Sequence, residues 1–415
     1  MMSNDTLVKL CLSIPIVNIL LDMALIIFPE LKSQMGILRT SFLLLIILFF
    51  LINYGIEKTR YNIALLFYLL LLLIACLQTT DLRESLIDGF LKVSLSLFMI
   101  PIGIKLGKTK NVRITKSLYW VIFILIINYV FSQIYKIGVS TYHEDSFYQG
   151  GASVTAPIII GSILLVFLNA FNTKRLVYGK LLNIILISIA VFIILISMKR
   201  GAILGFFVGT LIYLIVSPKK SGTLLRLVVV GFTLFIFSNQ FSDTLQQRFE
   251  ARSTEKNEIQ NENRYKETFY VIEELSNSDF FSVLFGNEAF NSSKVMKKYF
   301  GRGRMLHVDY NILLHGTGIV GLIFYLYLFY MFYRISLSIK KGAKRMSDSR
   351  YMNLVSENHA LIVGLISLSL VMSISGGIQF VSYRVILLFI FGFYIGEMMK
   401  LRDLKFKEIR QNQTP

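Results

Sequence analysis

The chain has 415 residues, of which 54% are hydrophobic and only 16% charged, with a mean hydropathy of +0.62 and a formal net charge of +18. Soluble domains carry roughly a quarter charged residues, so a large soluble core is excluded and an all-α polytopic integral membrane protein is expected. The basic excess sits in short loops between apolar segments, which makes it a topology signal rather than a nucleic-acid footprint, and no nucleic-acid partner is expected.

Apolar segments near the length needed to cross a bilayer, ~20 residues, recur along the chain. They fall at 7–28, 39–54, 61–78, 86–104, 117–135, 154–171, 181–197, 202–216, 224–238, 310–333, 360–374 and 380–398. The pattern predicts about twelve transmembrane helices, the second and eighth of them short. Nothing at the start looks like a cleaved leader, since no small-residue cleavage site follows the first run, which is read as a retained helix. Cys11 and Cys76 both lie in apolar segments and are expected to be free thiols.

The basic loops set an orientation. With the N-terminus inside, Lys58/Arg60, Lys105 to Lys116, Lys174/Arg175/Lys180, Lys219/Lys220 and Arg334 to Arg350 all face the cytoplasm. So does a basic tail over 399–415. The opposite loops carry only Lys32, Arg83 and Lys136, which fits the positive-inside rule. Four regions result: N-terminal helices (1–238), one large external loop (239–309), C-terminal helices (310–398) and the cytoplasmic tail (399–415). Both termini are cytoplasmic on this reading.

The external loop does not read as a linker. Residues 263–275 are patterned as an amphipathic helix, with Tyr265, Phe269 and Ile272 on one face and Lys266, Glu273 and Glu274 mostly on the other. Asn263 or Asn261 would cap it. Leu284-Phe285-Gly286-Asn287 is a turn signal. The expectation is a partly helical cap over the outer membrane face. No internal repeat or low-complexity segment interrupts the chain.

The loop ends at Gly301-Arg302-Gly303-Arg304-Met305-Leu306-His307, immediately before an apolar run. A histidine there meets the membrane boundary beside fixed positive charge. Its ordinary role would be an interfacial hydrogen bond; its chemical one would be a general base, because imidazole titrates near neutrality. His143, His315 and His359 have no evident role. No metal is expected: His307 and His315 are too far apart on a helix to share an ion, and no HExxH or cysteine cluster occurs. The break Met198-Lys199-Arg200-Gly201 is too short for an ordinary loop. Its basic pair either snorkels to headgroups or offers the Arg200 guanidinium as a two-point phosphate donor. Arg264 at the start of the loop helix, and Arg302 and Arg304 near His307, are solvated charges or anion contacts by the same reasoning. Charges inside the spans (Lys9, Asp22, Asp88, Lys92, Arg384) are scattered and mostly near helix ends, which argues against a proton relay.

Three patches together resemble the O-antigen polymerase and ligase family (Wzy-type polymerases and WaaL-type ligases). Ser197-Met198-Lys199-Arg200-Gly201-Ala202 is similar to its Ser-x-x-Arg-Gly patch. Asn263-Arg264-Tyr265-Lys266 through Leu284-Phe285-Gly286 is similar to its arginine-led loop helix. His307-Val308-Asp309-Tyr310, followed by Gly316-Thr317-Gly318-Ile319-Val320-Gly321-Leu322, is similar to its histidine patch. The family often has asparagine where Val308 stands and a tryptophan in the loop helix, where Phe269 is the nearest large aromatic here. The resemblance implies transfer of glycan from an undecaprenyl-pyrophosphate-linked oligosaccharide donor to a lipid-linked acceptor, on the outer face of a bacterial cytoplasmic membrane. It implies no cofactor and no metal ion. His307 would be the catalytic base, with Arg200, Arg264, Arg302, Arg304 and Tyr310 binding substrate. Membrane lipid and a chain-length regulator would be partners. Tyr265, Phe269, Tyr299 and Phe300 would pack on sugar faces or in the core. A repeat-unit polymerase is the leading expectation and a ligase its nearest rival. A flippase for lipid-linked sugars would instead call for paired repeats and charges lining a central cavity, and a purely structural scaffold is the remaining alternative.

Overall fold

The computed structural model describes residues 4–109, 112–135, 156–196, 200–224, 227, 263–301, 303, 305–346, 348–378 and 380–413. Among them no strand occurs, and the architecture is that of an all-helical polytopic membrane protein. The first half holds α1 (Asn4–Ile27), α2 (Lys32–Tyr54), α3 (Arg60–Leu77), α4 (Lys92–Lys108), α5 (Ile114–Tyr135), α6 (Ala156–Asn172), α7 (Lys180–Ile196) and α8 (Arg200–Val216). The loop region contributes α9 (Asn263–Ser276), α10 (Phe280–Phe285) and α11 (Ser293–Phe300). Three long helices complete it: α12 (Asp309–Lys344), α13 (Ser349–Ser375) and α14 (Val381–Gln413). In hydrocarbon every backbone amide must be paired internally, so apolar runs of this length become helices even with Pro15 or Pro101 inside them.

Eight of the described helices are long and apolar enough to cross a bilayer, and three shorter apolar ones cover the expected spans at 154–171, 181–197 and 202–216. The expected span 224–238 lies almost wholly outside the described residues, as does the loop segment 239–262. The second span is not short. It begins at Lys32 rather than 39, because the Arg39 guanidinium pairs with Asp22 of α1 inside the bundle instead of ending the helix in water. Likewise α14 runs on through Gln413, so most of the expected tail is helical. Cys11 and Cys76 are free and buried.

Small residues draw the helices together, as expected where lipid tails are as apolar as leucine. α4 runs parallel to α14 with backbones in contact. A Cβ on Gly103 would lie 2.5 Å from the Phe389 carbonyl oxygen, and one on Gly396 would lie 2.1 Å from that of Ile104. α8 runs antiparallel to α13 across Gly209 and Gly364. α3 runs antiparallel to α12, with Phe67 beside Phe324 and Leu71 beside Gly321. The ends of α3 and α13 therefore gather with the starts of α4, α8, α12 and α14 at one end of the bundle. Ile63, Phe67, Leu70, Ile74 and Leu77 of α3 and Ile319, Ile323 and Tyr327 of α12 point outward, as a lipid-facing surface requires.

Helices α9 to α11 cap that end. The face α9 buries is not the one that carries Phe269 and Ile272 in the expected stripe. Phe269 and Ile272 are exposed, and Glu267, Val271 and Leu275, spaced i, i+4, i+8, point inward. α11 is stapled to α9 by a Tyr270–Tyr299 stack (centroids 4.3 Å apart) and by a Lys298–Glu274 ion pair at 2.8 Å. Buried Phe290 packs on Gly89 in the π-helical turn Glu84–Leu91 that leads into α4, and the Asn287 amide donates to the His315 carbonyl at 2.9 Å. Inside α12, Gly318 breaks the helix with φ 62° and ψ −167°. Only glycine adopts that conformation cheaply, and the absence of a side chain also admits the Leu284 backbone, which a Cβ would meet at 2.3 Å.

Candidate catalytic site

His307 lies in the extended stretch just before α12, at the capped end of the bundle. Its side chain is 48% exposed, whereas Glu267 of α9, which holds it, is fully buried. The two carboxylate oxygens serve two groups of one residue. Glu267 Oε2 accepts the His307 backbone N–H at 3.0 Å, and Oε1 sits 3.0 Å from Nδ1. Carboxylate oxygens accept, so in the neutral imidazole Nδ1 carries the proton and Nε2 the lone pair. This is the base-and-orienter arrangement that general-base sites use: a buried carboxylate fixes tautomer and ring plane, and the outer nitrogen takes protons.

The segment carrying His307 is clamped from below. Asp309, the first residue of α12, is fully buried and paired with Arg384 of α14. Its Oδ1 accepts the Ile378 N–H at 2.7 Å, and the Arg384 guanidinium also reaches the Tyr325 hydroxyl and Ser373 Oγ, each at 3.2 Å. Gly376, with φ 92°, lets the turn after α13 pass so close that a Cβ would meet the His307 carbonyl oxygen at 1.5 Å. Asn311 Nδ2 donates to Thr268 Oγ1 at 2.9 Å, tying α12 back to α9. The imidazole thus has its backbone, its ring and both flanking helices held by buried polar contacts.

The other expected site residues fall as follows. Arg264 is the second residue of α9, one turn before Glu267, and Arg200 is the first of α8. The α8–α13 register brings Gly209 to Gly364 and Gly205 to Leu368 and Met372, so the start of α8 lies toward the turn at Gly376. Both arginines are therefore carried by helix starts at the His307 end; their side chains lie outside the described set, as do Arg302 and Arg304 altogether. Tyr310 is half-buried, and its hydroxyl donates to the Leu370 carbonyl at 2.7 Å. Tyr299 and Phe300 pack around Tyr270, while Phe269 is exposed. Of the remaining histidines, His315 is buried in α12 and His359 is bonded to Ser336 Oγ at 3.0 Å. His143 is outside the described residues. Met198 and Lys199 are also outside them.

Two functional elements escaped the sequence. Glu267 reads as one more charge on a mixed loop helix, and only its i, i+4, i+8 relation to Val271 and Leu275 hints that it faces inward. Asp309 reads as an N-terminal helix acid, not as the partner of Arg384 some 75 residues on. In the cap, the Lys298 hydrogen bond holds the Glu274 carboxyl below the usual carboxylate range, and the Ser282 amide does the same for Asp279 at the start of α10. Among the described residues no three His, Cys, Asp or Glu side chains are grouped to hold a metal ion. No family model matches the chain, and no curated protein matches it.

Proposed function

We propose that the protein is a membrane-embedded glycosyltransferase that polymerises lipid-linked oligosaccharide repeat units, as the resemblance in its three patches implies. The observation that carries the reading is the half-exposed His307 imidazole held by the fully buried Glu267 carboxylate at one end of a lipid-facing bundle. In this reading that end is extracytoplasmic. The described apolar helices together with 224–238 make twelve spans, and both termini are cytoplasmic.

The chemistry divides among few groups. The acceptor sugar hydroxyl gives its proton to His307 Nε2 as its oxygen attacks the anomeric carbon of the donor. The bond from that carbon to the pyrophosphate oxygen breaks, and the polyprenyl pyrophosphate leaves with the electron pair. Charge builds on the leaving group, so donors aimed there lower the barrier most. Arg200 and Arg264 are the guanidinium groups proposed for that task, each capable of a two-point contact with phosphate. Arg302 and Arg304 would hold the anionic donor at the membrane surface. Both substrates are anchored in one leaflet, which removes part of the entropic cost of bringing them together.

Purified protein incubated with synthetic lipid-pyrophosphate repeat units is expected to produce a ladder of products, and His307→Ala to abolish it while leaving expression and membrane insertion intact. Transfer only to an added acceptor of another kind would make the protein a ligase. A normal ladder from His307→Ala would remove the base assignment, and the absence of any covalent product would return the flippase reading.

A further inference from the structure

We propose that α10 is an in-plane anchor whose aromatic face inserts into one leaflet of the membrane beside α12. The sequence of this helix, Phe280-Phe281-Ser282-Val283-Leu284-Phe285, has a single polar residue, and none of its six side chains is buried in the protein. Phe280 and Phe281 are 71% and 72% exposed, more than most of the side chains on the lipid-facing spans. An aromatic pair so bare in water would be costly, and burying each ring removes on the order of 150–250 Å² of surface.

Position identifies what covers it. The end of α10 is fixed against the break in α12, where Gly318 admits the backbone of Leu284 and Phe285. Ile319 follows immediately and, with Ile323, begins the outward-facing apolar strip of α12. Exposed Phe285 thus continues that strip sideways onto α10 without a polar gap. On the other flank, Thr80, just past the end of α3, donates to Glu288 at 3.0–3.1 Å. The helix therefore lies level with the ends of two spans, bracketed by Asp279 and Glu288 at the polar boundary. An apolar helix lying at that depth buries its face about 5–10 Å into the headgroup and acyl boundary. The exposed Phe269 and Ile272 of α9 extend the same outward apolar character up the cap. One consequence is geometric: the short turn joining α10 to α9 sets the height of Glu267, and so of the His307 imidazole, relative to the lipid headgroups.

The chain's one tryptophan, Trp120, makes the test direct. A Trp120→Phe, Phe281→Trp double variant, full length and reconstituted in phosphatidylcholine/phosphatidylglycerol vesicles, carries one fluorophore on α10. Its emission is expected to be blue-shifted and to be quenched more by lipids brominated high on the acyl chain than by lipids brominated near the chain end. Trp120 in the native chain, exposed on α5, reports in parallel that the bundle has inserted. Water-like, unquenched emission overturns the proposal. So does blue-shifted emission without bromine quenching, which means a second copy or another protein covers the face. Should the Phe281 variant fail to insert, Trp120→Phe, Phe280→Trp reads the same face by the same criteria.

Discussion

Replacing Glu267 by glutamine separates the orienter role from simple packing. His307 presents two donors to this side chain, its backbone N–H and Nδ1–H, and each meets a carboxylate oxygen at 3.0 Å. Glutamine is the same shape but has one acceptor, so one of the two donors must face the amide nitrogen. If the backbone keeps the oxygen, the amide donates to Nδ1, the ring proton moves to Nε2, and the outer nitrogen is no longer a base. If the ring keeps it, a buried backbone N–H loses its partner, at a cost of ~1–3 kcal/mol. The first outcome removes general-base catalysis, typically worth ~10²–10⁴-fold. That corresponds to roughly 2.7–5.5 kcal/mol of barrier. Glu267→Gln should therefore lower kcat in the ladder assay by up to that factor with little change in KM. Nitrogen-15 spectra of labelled histidine should show the His307 tautomer inverted. Glu267→Asp keeps both acceptors and should recover part of the rate. A glutamine variant with full turnover and a normal His307 tautomer would refute the orienter argument. A variant that loses thermal stability but keeps kcat would make Glu267 a packing residue only.

Arg264→Lys should lose most of the transfer activity with protein level unchanged, because an ammonium cannot give the planar two-point contact to a pyrophosphate; near-normal output would reduce Arg264 to a surface charge. Gly376→Ala adds a methyl 1.5 Å from the His307 carbonyl oxygen at a φ of 92°. The backbone conformation alone costs on the order of 1–3 kcal/mol, so the melting temperature in detergent should fall and activity with it, whereas an unchanged melt would contradict the close approach. In the cap, Glu274 has its carboxyl pKa lowered chiefly by the Lys298 hydrogen bond. A depressed folded-state value means the stabilisation is present at neutral pH and is lost as the pH drops through the folded-state value, below the usual carboxylate range. Lys298→Ala should raise the Glu274 titration midpoint, seen by carbon-13 carboxyl shifts, with little change in stability for so exposed a pair. No movement of that midpoint would dissolve the pair.

The sequence was most legible where one physical term dominates. Apolar run length marks the spans because hydrocarbon tolerates no unpaired backbone, and His307 stood out because it follows a polar loop and precedes such a run. It misled where long-range pairing cancels a local cost. Arg39 read as a helix boundary, yet Asp22 neutralises it and the helix continues for seven residues before it, from Lys32. The aromatic stripe on α9 misled for a related reason. Periodicity shows that a helix has two faces, but not which one meets protein when a membrane is also available to cover apolar surface.

That last ambiguity explains why the site's key carboxylate stayed hidden. A loop helix beside a bilayer can turn its greasiest residues, Phe269 and Ile272, outward at no penalty, provided lipid receives them. This frees the opposite face to carry Glu267, one turn before Val271 and two before Leu275, toward the protein. Burying a carboxylate costs several kcal/mol unless it is well paired, and in this fold each of its oxygens meets a group of His307. The helix thus turns two large apolar side chains outward while one carboxylate goes inward beside Val271 and Leu275. Two conditions favour that arrangement: lipid meeting the outward face, and the inward acid staying bonded to His307. The tryptophan quenching on α10, next to α9, and the glutamine substitution at Glu267 probe these two conditions from opposite sides of the cap. Placing α10 in water would leave the outward turn of Phe269 and Ile272 without the lipid proposed to receive it.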